Sequence, residues 1–327
     1  MKKQTILVGL QHGDEGKGKI SKCLSDINDY DCYVRYNGGP NAGHTIYNNN
    51  EKIVLHQIPC GILKNKPCLI STDCVVDIEK LTNEIKTLES IDINVKNNLY
   101  ISNMCHIITK ESINEDISNN RVGTTCSGIG QTYSKRVLRT GDKIQINENL
   151  YKLVEPFEFL ENYNNIFFEG AQGFELDINY GDYPYVTSSS CISQAIFRNG
   201  GDMCIKPNVY GVCKIYDTYV GSKEFGDKND TDLIKLGEIG EECGATTGRK
   251  RKCNWLNLKK LMIACKINKV STIYINKCDI IQKLNVYKLY NLENKLITFD
   301  NYNDMKQYIE NILNNYNTIF SGSKNSL

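Results

Sequence analysis

The stretch from Gln4 to Ser21, QTILVGLQHGDEGKGKIS, constrains the fold more than any other part of this sequence. An apolar run at 6–8 is followed by a glycine-rich, charged loop at 9–18 and by a segment with helical potential at 19–24. A strand, a glycine-rich loop and a helix in this order are typical of phosphate-binding α/β proteins. The stretch therefore predicts an α/β fold with a P-loop-like phosphate loop after its first strand.

The loop between this strand and helix has the composition of a phosphate site. Glycines at 13, 16 and 18 let the backbone N–H groups approach an anion, and the helix adds the positive end of its dipole. Lys17 and Lys19 supply cations. The alternative is a tight strand–helix turn with solvated lysines, so the motif needs support from the rest of the chain.

The same loop satisfies most of the P-loop pattern but lacks one of its ligands. Gly13, Gly18 and Lys19 have the required spacing. Ile20, however, occupies the position at which a P-loop has Ser or Thr to hold Mg²⁺. A metal at this loop therefore needs another protein oxygen, and Asp14 is the obvious supplier.

Charge and cysteine usage narrow the class of protein. The 327 residues include 39 Lys and Arg against 38 Asp and Glu, a net charge of +1 that argues against nucleic acid as a partner. The 14 cysteines form no C-x-x-C pair, which is typical of reduced thiols in a cytoplasmic protein. Without an apolar signal region or a stretch of membrane-spanning length, the sequence predicts a soluble chain.

A second glycine-rich turn, NGGPNAGHT at 37–45, follows a predicted strand at 32–36. Its three glycines and its proline favour a loop that approaches a ligand closely. A lone histidine is usually structural, but the position of His44 after such a loop favours a functional role.

Two further segments combine glycines with hydroxyl or amide side chains. Residues 123–130, GTTCSGIG, offer O–H and N–H donors to a phosphate, and residues 183–190 form a hydroxyl-rich loop. Gln172 follows a predicted strand and can either read a nucleobase or sugar edge or cap the turn. The basic residues that include Arg139 are, taken alone, typical of a solvated face.

The last third of the chain contains two polar motifs. Residues 244–252, GATTGRKRK, suit a small dicarboxylate or phosphate, with a solvated basic run as the alternative. After a predicted strand at 271–275, NKCD at 276–279 pairs a lysine stem that can pack on a base with an aspartate that can accept from guanine. We expect the tail at 319–324 to close over that base.

The remaining segments predict the scaffold. We expect strands at 53–62, 68–76, 99–108 and 209–220, a helix at 78–88 capped by Asp77, a loop or weak helix at 110–121 and a loop at 222–242. Alternating strands and helices predict a central, mostly parallel sheet flanked by helices, with loops converging at the carboxyl ends of its strands. We expect one domain over 1–327, with a peripheral subregion at 77–165.

The motifs QHGDEGKGK, GGPNAGHT, GTTCSGIG, FEGAQG, YPYVTSS, GATTGRKRK and NKCD, in this order from residue 11 to residue 279, resemble the adenylosuccinate synthetase family. The resemblance implies a GTP- and Mg²⁺-dependent ligase of purine nucleotide biosynthesis. Such an enzyme joins L-aspartate to C6 of IMP through a 6-phosphoryl-IMP intermediate and releases GDP and phosphate. The resemblance also implies a homodimer with a cytoplasmic location, which for a viral chain is the host cytoplasm.

Three catalytic roles follow from the resemblance. Asp14 is implied as the base that takes the proton from N1 of IMP and as a Mg²⁺ ligand, with the backbone of Gly43 near the metal. His44 is implied as the acid at the purine O6, and Lys17 as a contact to the nucleotide phosphates. Phosphorylating O6 makes it a good leaving group, and these groups supply the base and the cations for that step.

Three binding sets also follow from the resemblance. GTP is implied at Gly13, Glu15, Gly16, Lys17, Gly18, Lys19, Gly43, His44, Thr45, Lys277 and Asp279. The purine monophosphate is implied at Asn41, Thr124, Thr125, Arg139, Gln172 and Thr187, with Arg139 reaching into the partner subunit's site. Aspartate is implied at Thr246, Thr247, Arg249 and Arg251.

Departures from the family pattern leave a second acceptor open. His12 stands where members usually carry Trp, Tyr219 occupies a position usually filled by Arg, and the chain is as short as archaeal and viral relatives. Some viral relatives take GMP or dGMP, with ATP as a candidate donor, and typically lack the carboxylate at the Asp14 position. Because Asp14 is present, IMP is the preferred acceptor.

A hypothesis from another class is a guanine-nucleotide switch or binding module that uses only the first loop and NKCD. It leaves the loops at 37–45 and 244–252 without a purpose. The missing P-loop hydroxyl also counts against it.

Overall fold

The computed structural model describes residues 2–48, 51–119, 122–244 and 248–322. Its strands are β1 (Lys3–Gly9), β2 (Cys32–Arg35), β3 (His44–Asn48), β4 (Glu51–Leu55), β5 (Cys68–Ile70), β6 (Val75–Val76), β7 (Leu99–Ser102), β8 (His106–Ile107), β9 (Lys152–Val154), β10 (Asn165–Glu169), β11 (Asn208–Lys214), β12 (Tyr216–Tyr219), β13 (Lys252–Asn257), β14 (Thr272–Asn276), β15 (Tyr287–Tyr290), β16 (Leu296–Phe299) and β17 (Asn317–Phe320). Its α-helices are α1 (Lys17–Ile27), α2 (Ile78–Glu89), α3 (Lys110–Ser118), α4 (Ile129–Leu138), α5 (Pro156–Glu161), α6 (Thr231–Ile239), α7 (Leu258–Asn268), α8 (Cys278–Leu284) and α9 (Tyr302–Ile312).

Nine of these strands form one sheet in the order β17-β14-β11-β1-β10-β2-β5-β7-β9. Every neighbouring pair in it is parallel. The predicted α/β fold with a central, mostly parallel sheet flanked by helices is therefore confirmed. None of the helices in the described ranges is long and apolar enough to cross a bilayer.

Both faces of the central sheet are covered. Ile6 and Val8 are buried in one apolar cluster, whereas Leu7, which points to the other face, is buried in a second cluster. A strand buried on both faces must be apolar at successive positions, because each residue contacts one of the two cores. This requirement explains the uninterrupted apolar run at the start of the chain.

The strand order brings the polar motifs together. The carboxyl ends of β2, β10, β1, β11 and β14 lie side by side at one edge of the sheet. The chain leaves β2, β10 and β1 into the loops at 36–43, 170–173 and 10–16, and it leaves β14 through Lys277 into α8. In parallel sheets, ligands bind outside these carboxyl ends. The fold thus places motifs from distant parts of the sequence around one site.

A smaller sheet lies beside the central one, in the order β12-β13-β15-β16. β12 and β13 are antiparallel, and an antiparallel bridge between Cys243 and Lys250 closes the loop that precedes β13. β3 and β4 form an antiparallel hairpin that begins at His44. The hairpin begins at the end of the second glycine-rich turn at 37–45, and β13 begins at the end of the basic loop at 244–252.

The predicted strand at 53–62 is wrong in its second half. β4 ends at Leu55, and Cys60–Lys64 form a 3₁₀ helix. Pro59 before this helix has no N–H to donate to a ladder. Gly61 packs on an aromatic ring, where a Cβ would lie 2.1 Å from Tyr33. The apolar residues of this segment are buried, but in a turn.

Three other predicted strands, at 68–76, 99–108 and 209–220, are each two strands in different sheets. β5, β7 and β11 lie in the central sheet, whereas β6, β8 and β12 pair elsewhere. Tight turns separate two of the pairs, because Cys74 N–H donates to the Ser71 carbonyl and Cys105 N–H donates to the Ser102 carbonyl. These turns are short and only partly buried, with Asn103 and Met104 exposed, so they interrupt the apolar pattern too briefly to separate the strands in the sequence.

The structure contains the predicted helices and others that the sequence pattern did not indicate. α2 is confirmed, with the Asp77 side chain accepting from Lys80 N–H at 3.0 Å. The segment at 110–121, expected as a loop or weak helix, contains α3, which Thr109 caps. The segment at 222–242, expected as a loop, contains α6, which Asp230 caps. The organisation as one domain with a peripheral subregion stays a prediction.

Candidate active site

A cavity of about 530 Å³ lies at the carboxyl ends of the central strands. The predicted site residues that line it are Gly13, Asp14, Gly16, Lys17, Gly18, Asn41, Gly43, His44, Thr45, Thr124, Thr125, Gln172, Thr187, Arg249 and Arg251. Glu15, Lys19, Arg139, Lys277 and Asp279 lie outside this lining, and Thr246 and Thr247 fall outside the described residues. Most residues implied by the resemblance therefore meet around one cavity.

The phosphate loop is held from inside by Glu15. Its buried carboxylate accepts from Gln11 N–H at 3.2 Å, from Gly13 N–H at 2.9 Å and from the Lys17 ammonium at 2.7 Å. The Glu15 side chain thus shapes the loop, and a nucleotide contact from this residue would use its backbone. The Lys17 ammonium also donates to the Gln172 carbonyl, which places this cation at the cavity wall.

The loop ends in left-handed backbone. Gly13, Asp14 and Gly16 have φ of 83°, 57° and 92°, a region that glycine adopts easily and other residues rarely do. α1 begins at Lys17, two residues earlier than predicted. Because the first turn of a helix has free N–H groups, the earlier start directs them at the cavity.

Gln172 combines an unusual backbone with an unpaired oxygen. Its φ is 53°, and its Nε2 donates to Asn41 Oδ1 at 3.0 Å. Its buried Oε1 has no hydrogen-bond partner among the described residues. A buried polar atom without a partner is costly. A Cβ on Gly38 would lie 2.8 Å from this oxygen, so the oxygen packs against the backbone of the second glycine-rich turn.

His44 belongs to a buried cluster with two residues that the sequence did not single out. Glu169 Oε1 accepts from Arg35 at 2.7 Å and from His44 Nδ1, and Oε2 accepts from Cys60 N–H at 3.0 Å. Arg35 is the last residue of β2 and Glu169 is the last residue of β10. The two residues are direct neighbours in the sheet register. The signal in the sequence was a charged residue at the end of an otherwise apolar strand.

Charge and burial set the protonation states in this cluster. Burial alone would raise the pKa of Glu169, but the charges of Arg35 and His44 outweigh it and hold this pKa well below its usual range. Burial, and then the charge of Arg35, lower the pKa of His44 to about 4 despite the opposing effect of Glu169. At neutral pH His44 is therefore an uncharged imidazole whose Nδ1–H donates to an ionised Glu169.

This difference in pKa makes stability depend on pH. An unfolded histidine has a pKa of about 6.5, against about 4 for His44 in the fold. Between these values the unfolded state binds more protons, so the free energy of unfolding falls as the pH falls. We expect His44 to contribute roughly 1–3 kcal/mol of this loss between pH 6.5 and 4.

Urea unfolding across this pH range tests the effect. His44→Gln should flatten the dependence, and the slope that remains includes His106, whose pKa burial also lowers. If the free energy of unfolding depended on pH equally in the wild type and in His44→Gln, this contribution of His44 would be contradicted.

Asp14 and Arg251, implied as base and aspartate ligand, contact each other. Asp14 Oδ2 accepts from Arg251 Nε at 2.8 Å. Arg251 also pairs with Glu242, a buried carboxylate that accepts from Lys214 at 2.9 Å and from Tyr216 at 2.6 Å. Burial raises the pKa of Glu242, but the charges of Lys214, Arg251 and Lys277 outweigh it and lower this pKa to about 2. Glu242 is a site residue that no motif indicated.

The NKCD motif at 276–279 lies next to the phosphate loop, outside the cavity lining. Asn276 Nδ2 donates to the Glu15 carbonyl at 2.8 Å, and Lys277 donates to the Gly240 carbonyl at 2.9 Å. The tail reaches the same place, since a Cβ on Gly322 would lie 3.1 Å from the backbone of Asp279. The part of the tail beyond residue 322 falls outside the described residues.

The hydroxyl-rich segment at 123–130 is anchored by α3. Asp116 accepts from Thr124 Oγ1 at 2.9 Å and from Gly128 N–H at 2.9 Å. Arg249 donates to the Gly123 carbonyl at 3.2 Å, so the basic loop and this segment touch. Arg139, at the end of α4, is exposed and does not line the cavity of its own chain.

Gly18 in α1 lets the backbone of His44 and Thr45 pack closely against this helix. A Cβ at this position would lie 2.6 Å from the Thr45 carbonyl oxygen and 3.0 Å from the carbonyl carbon of His44. The family resemblance implies that His44 is a catalytic group. We therefore expect Gly18→Ala, which displaces β3, to lower kcat by about tenfold to a hundredfold, because small misplacements of such groups are costly. Steady-state kinetics measures the change.

Gly237→Ala is the matched control for Gly18→Ala. Gly237 lies in α6, and the added Cβ would lie 3.3 Å from the Cys253 side chain in β13, outside the cavity lining. Its kcat should equal that of the wild type. A Gly18→Ala enzyme as active as this control would show that the close contact does not position His44.

The sequence matches the adenylosuccinate synthetase family over residues 6–162 and 155–325. The chain belongs to the adenylosuccinate synthetase family. It is 35% identical to the adenylosuccinate synthetase of Chlorobium phaeobacteroides over 356 residues, which cover 90% of this chain and 81% of the relative. It is 36% identical to that of Thermodesulfovibrio yellowstonii over 349 residues, covering 89% and 82%. These relatives identify the chain as a ligase of purine biosynthesis.

Two solved structures resemble the fold. Fully ligated adenylosuccinate synthetase from Plasmodium falciparum superposes with a TM-score of 0.87 at 27% identity, over 98% of this chain and 97% of that chain. The cyanophage S-2L succinoaminodeoxyadenylate synthetase, bound to dGMP and to dATP as an energy donor, gives a TM-score of 0.81 at 18% identity, over 100% and 94%. The second likeness shows a shared fold alone.

Proposed function

We propose that the protein joins L-aspartate to C6 of IMP at the expense of GTP, through a 6-phosphoryl-IMP intermediate, and releases adenylosuccinate, GDP and phosphate. The observation that carries this proposal is the convergence of Asp14, Lys17 and His44 on one cavity from two loops. A base, a cation and an imidazole at one place suit phosphoryl transfer to a lactam oxygen.

In this proposal the acid at O6 forms only when substrate is bound. With the cavity free of ligand, burial and Arg35 hold the pKa of His44 at about 4. Negative charge of a phosphoryl group near the ring would raise this pKa, because it favours the imidazolium. Glu169 keeps Nδ1–H oriented, so in this proposal the proton moves at the other ring nitrogen, Nε2, which lies 3.5 Å from Arg35 Nη1.

The substrate L-aspartate is proposed to compete with Asp14 for the side chain of Arg251. Its guanidinium is shared between Asp14 and Glu242, and a substrate carboxylate can replace Asp14 as its bidentate partner. Binding of L-aspartate would then free the Asp14 carboxylate for the purine. Thr246, Thr247 and Arg249 are proposed to complete the aspartate site.

Mg²⁺ fits the oxygen donors at this loop. No group of three or more His, Cys, Asp or Glu side chains in the described ranges forms a cage for a metal. Mg²⁺ usually binds through one or two carboxylates together with substrate phosphates, and the Asp14 carboxylate with the Gly43 backbone would supply the protein part. When bound, the ion would neutralise charge on the transferring phosphoryl group.

GTP is proposed to lie along the phosphate loop with its base at NKCD. The bond from Asn276 to the Glu15 carbonyl fixes the distance between the two motifs. Asp279 would accept from the guanine N–H groups, and the stem of Lys277 would pack on the base.

We also propose that the protein acts as a homodimer. Arg139 is exposed beside Val137 and Leu138, which are 78% and 65% exposed. Exposed aliphatic side chains around an arginine suit a subunit interface. In this arrangement Arg139 would contact the purine monophosphate in the partner subunit's site.

Phosphate release tests the proposed reaction. We expect release only when IMP, GTP, Mg²⁺ and aspartate are all present, and none when any one is omitted. Turnover of GTP without IMP and aspartate would instead support the nucleotide-switch hypothesis. Incubation with equal IMP and dGMP, followed by product masses, decides the acceptor, and a product of dGMP alone would overturn the choice of IMP.

A further inference from the structure

A buried histidine lies between a carboxylate and an ammonium beside the phosphate loop. His12 Nδ1 is 3.0 Å from Asp217 Oδ2, and His12 Nε2 is 3.2 Å from Lys223 Nζ. The His12 side chain is fully buried, although the residue lines the cavity. Sequence reasoning assigned no role to this position.

The two partners allow one tautomer of His12. The Lys223 ammonium has donors and no acceptor, so Nε2 must accept from it. The ring hydrogen therefore sits on Nδ1 and is donated to Asp217. A side chain at position 12 must thus supply one donor and one acceptor at fixed places.

Two aromatic rings hold His12 and Lys223 in this arrangement. Tyr219 and Phe225 meet the His12 ring edge-on, with centroids 5.3 Å and 5.0 Å away. Lys223 Nζ lies 4.9 Å from the Tyr219 centroid and 5.8 Å from that of Phe225. Cation–π attraction and the bond to His12 therefore fix the Lys223 ammonium on one side.

The other side of Lys223 contacts the loop at 182–188. Lys223 Nζ is 3.2 Å from Asp182 Oδ2, and the Asp182 carbonyl accepts from Tyr185 N–H at 2.8 Å. Tyr185 and Thr187 line the cavity. A chain of polar contacts thus runs from the phosphate loop through His12 and Lys223 to this loop.

We propose that His12 and Lys223 are positioning residues that hold the 182–188 loop at the cavity and so set the affinity for the purine monophosphate. The proposal rests on the proposed function, which assigns Thr187 of this loop to the monophosphate. Neither side chain takes part in bond making. Their loss therefore raises the KM for the monophosphate and leaves kcat and the KM for GTP unchanged.

Kinetics and hydrogen exchange test the proposal on the full-length protein. Lys223→Met and His12→Phe should raise the KM for IMP by about tenfold, the size expected for one hydrogen bond to a charged group, with kcat within about twofold. In the ligand-free protein both should speed amide exchange at 185–187, where Tyr185 and Thr187 N–H groups are bonded. His12→Gln, which keeps a donor and an acceptor, should restore both readouts.

Lys228→Met is the matched control, because Lys228 is an exposed lysine paired with exposed Glu224. It should behave as the wild type. The effects of Lys223→Met and Asp182→Asn on the KM for IMP and on amide exchange should not add in the double variant, because both substitutions break the same contact. Three results would each overturn the proposal. They are an unchanged KM for IMP and unchanged amide exchange in Lys223→Met, additive effects in the double variant, and a loss confined to kcat. A wild-type enzyme inactive with IMP would overturn the proposed function instead, and the exchange result would still decide whether the link holds the loop.

Discussion

Replacing Asp14 by Asn is expected to lower kcat by about 10²–10⁴-fold, the usual contribution of a general base. An amide cannot take the proton from the purine N1, and it binds a divalent cation less well than a carboxylate does. The protein should still fold, because Arg251 keeps its contact with Glu242 when Asp14 is changed. Steady-state phosphate release measures kcat, and thermal unfolding measured in parallel shows whether the variant is folded.

A distant aspartate provides the control for this substitution. Asp29→Asn changes an 86% exposed side chain whose partner is Lys66 on the surface. Its kcat should match the wild type. An Asp14→Asn enzyme within tenfold of the wild type would remove Asp14 from the role of base and leave it, at most, as a metal ligand.

Replacing Glu169 by Gln is expected to reduce stability and activity together. It leaves the Arg35 guanidinium, whose side chain is 3% exposed, without its carboxylate, and breaking a buried pair costs about 3–5 kcal/mol. The charge that stabilises protonated His44 is also lost, so the pKa of His44 falls further below about 4 and kcat falls with it. Urea unfolding measures the first effect, and the pH dependence of kcat measures the second.

Glu84→Gln separates these effects from the general cost of changing a buried carboxyl group. Glu84 is also buried, but it accepts from the backbone N–H groups of His56, Gln57 and Ile58. Burial raises the pKa of Glu84, so its carboxyl group is easier to neutralise than that of Glu169. We expect a smaller loss of stability and an unchanged kcat. Equal losses in the two variants would contradict the special role of the Arg35–Glu169–His44 cluster.

Residues in glycine-rich motifs were the ones that sequence reasoning could find. Asp14, Lys17 and His44 stand in loops whose composition excludes a regular strand or helix, so a functional interpretation was available from the residues alone. The structure places all three at one cavity. Which substrate each one contacts stays a prediction.

The partners of these residues were not predictable from local composition. Arg35 and Glu169 end two apolar strands 134 positions apart, and Glu242 follows a helix in a segment expected as a loop. Arg35 and Glu169 contact each other, whereas Glu242 contacts Lys214, which is 28 positions away. Only the order of strands in the sheet brings such pairs within hydrogen-bond distance.

The amino-acid sequence by itself determined the fold class, the phosphate loop and the order of motifs, because short-range patterns of glycine, charge and apolar residues control strand, turn and helix locally. The tertiary structure decided where the segments at 68–76 and 99–108 divide between two sheets, since turns of four residues interrupt the apolar pattern only briefly. It also decided the charge state of His44 and the partner of Asp14. Both depend on burial and on charges from other strands, which have no local pattern in the sequence.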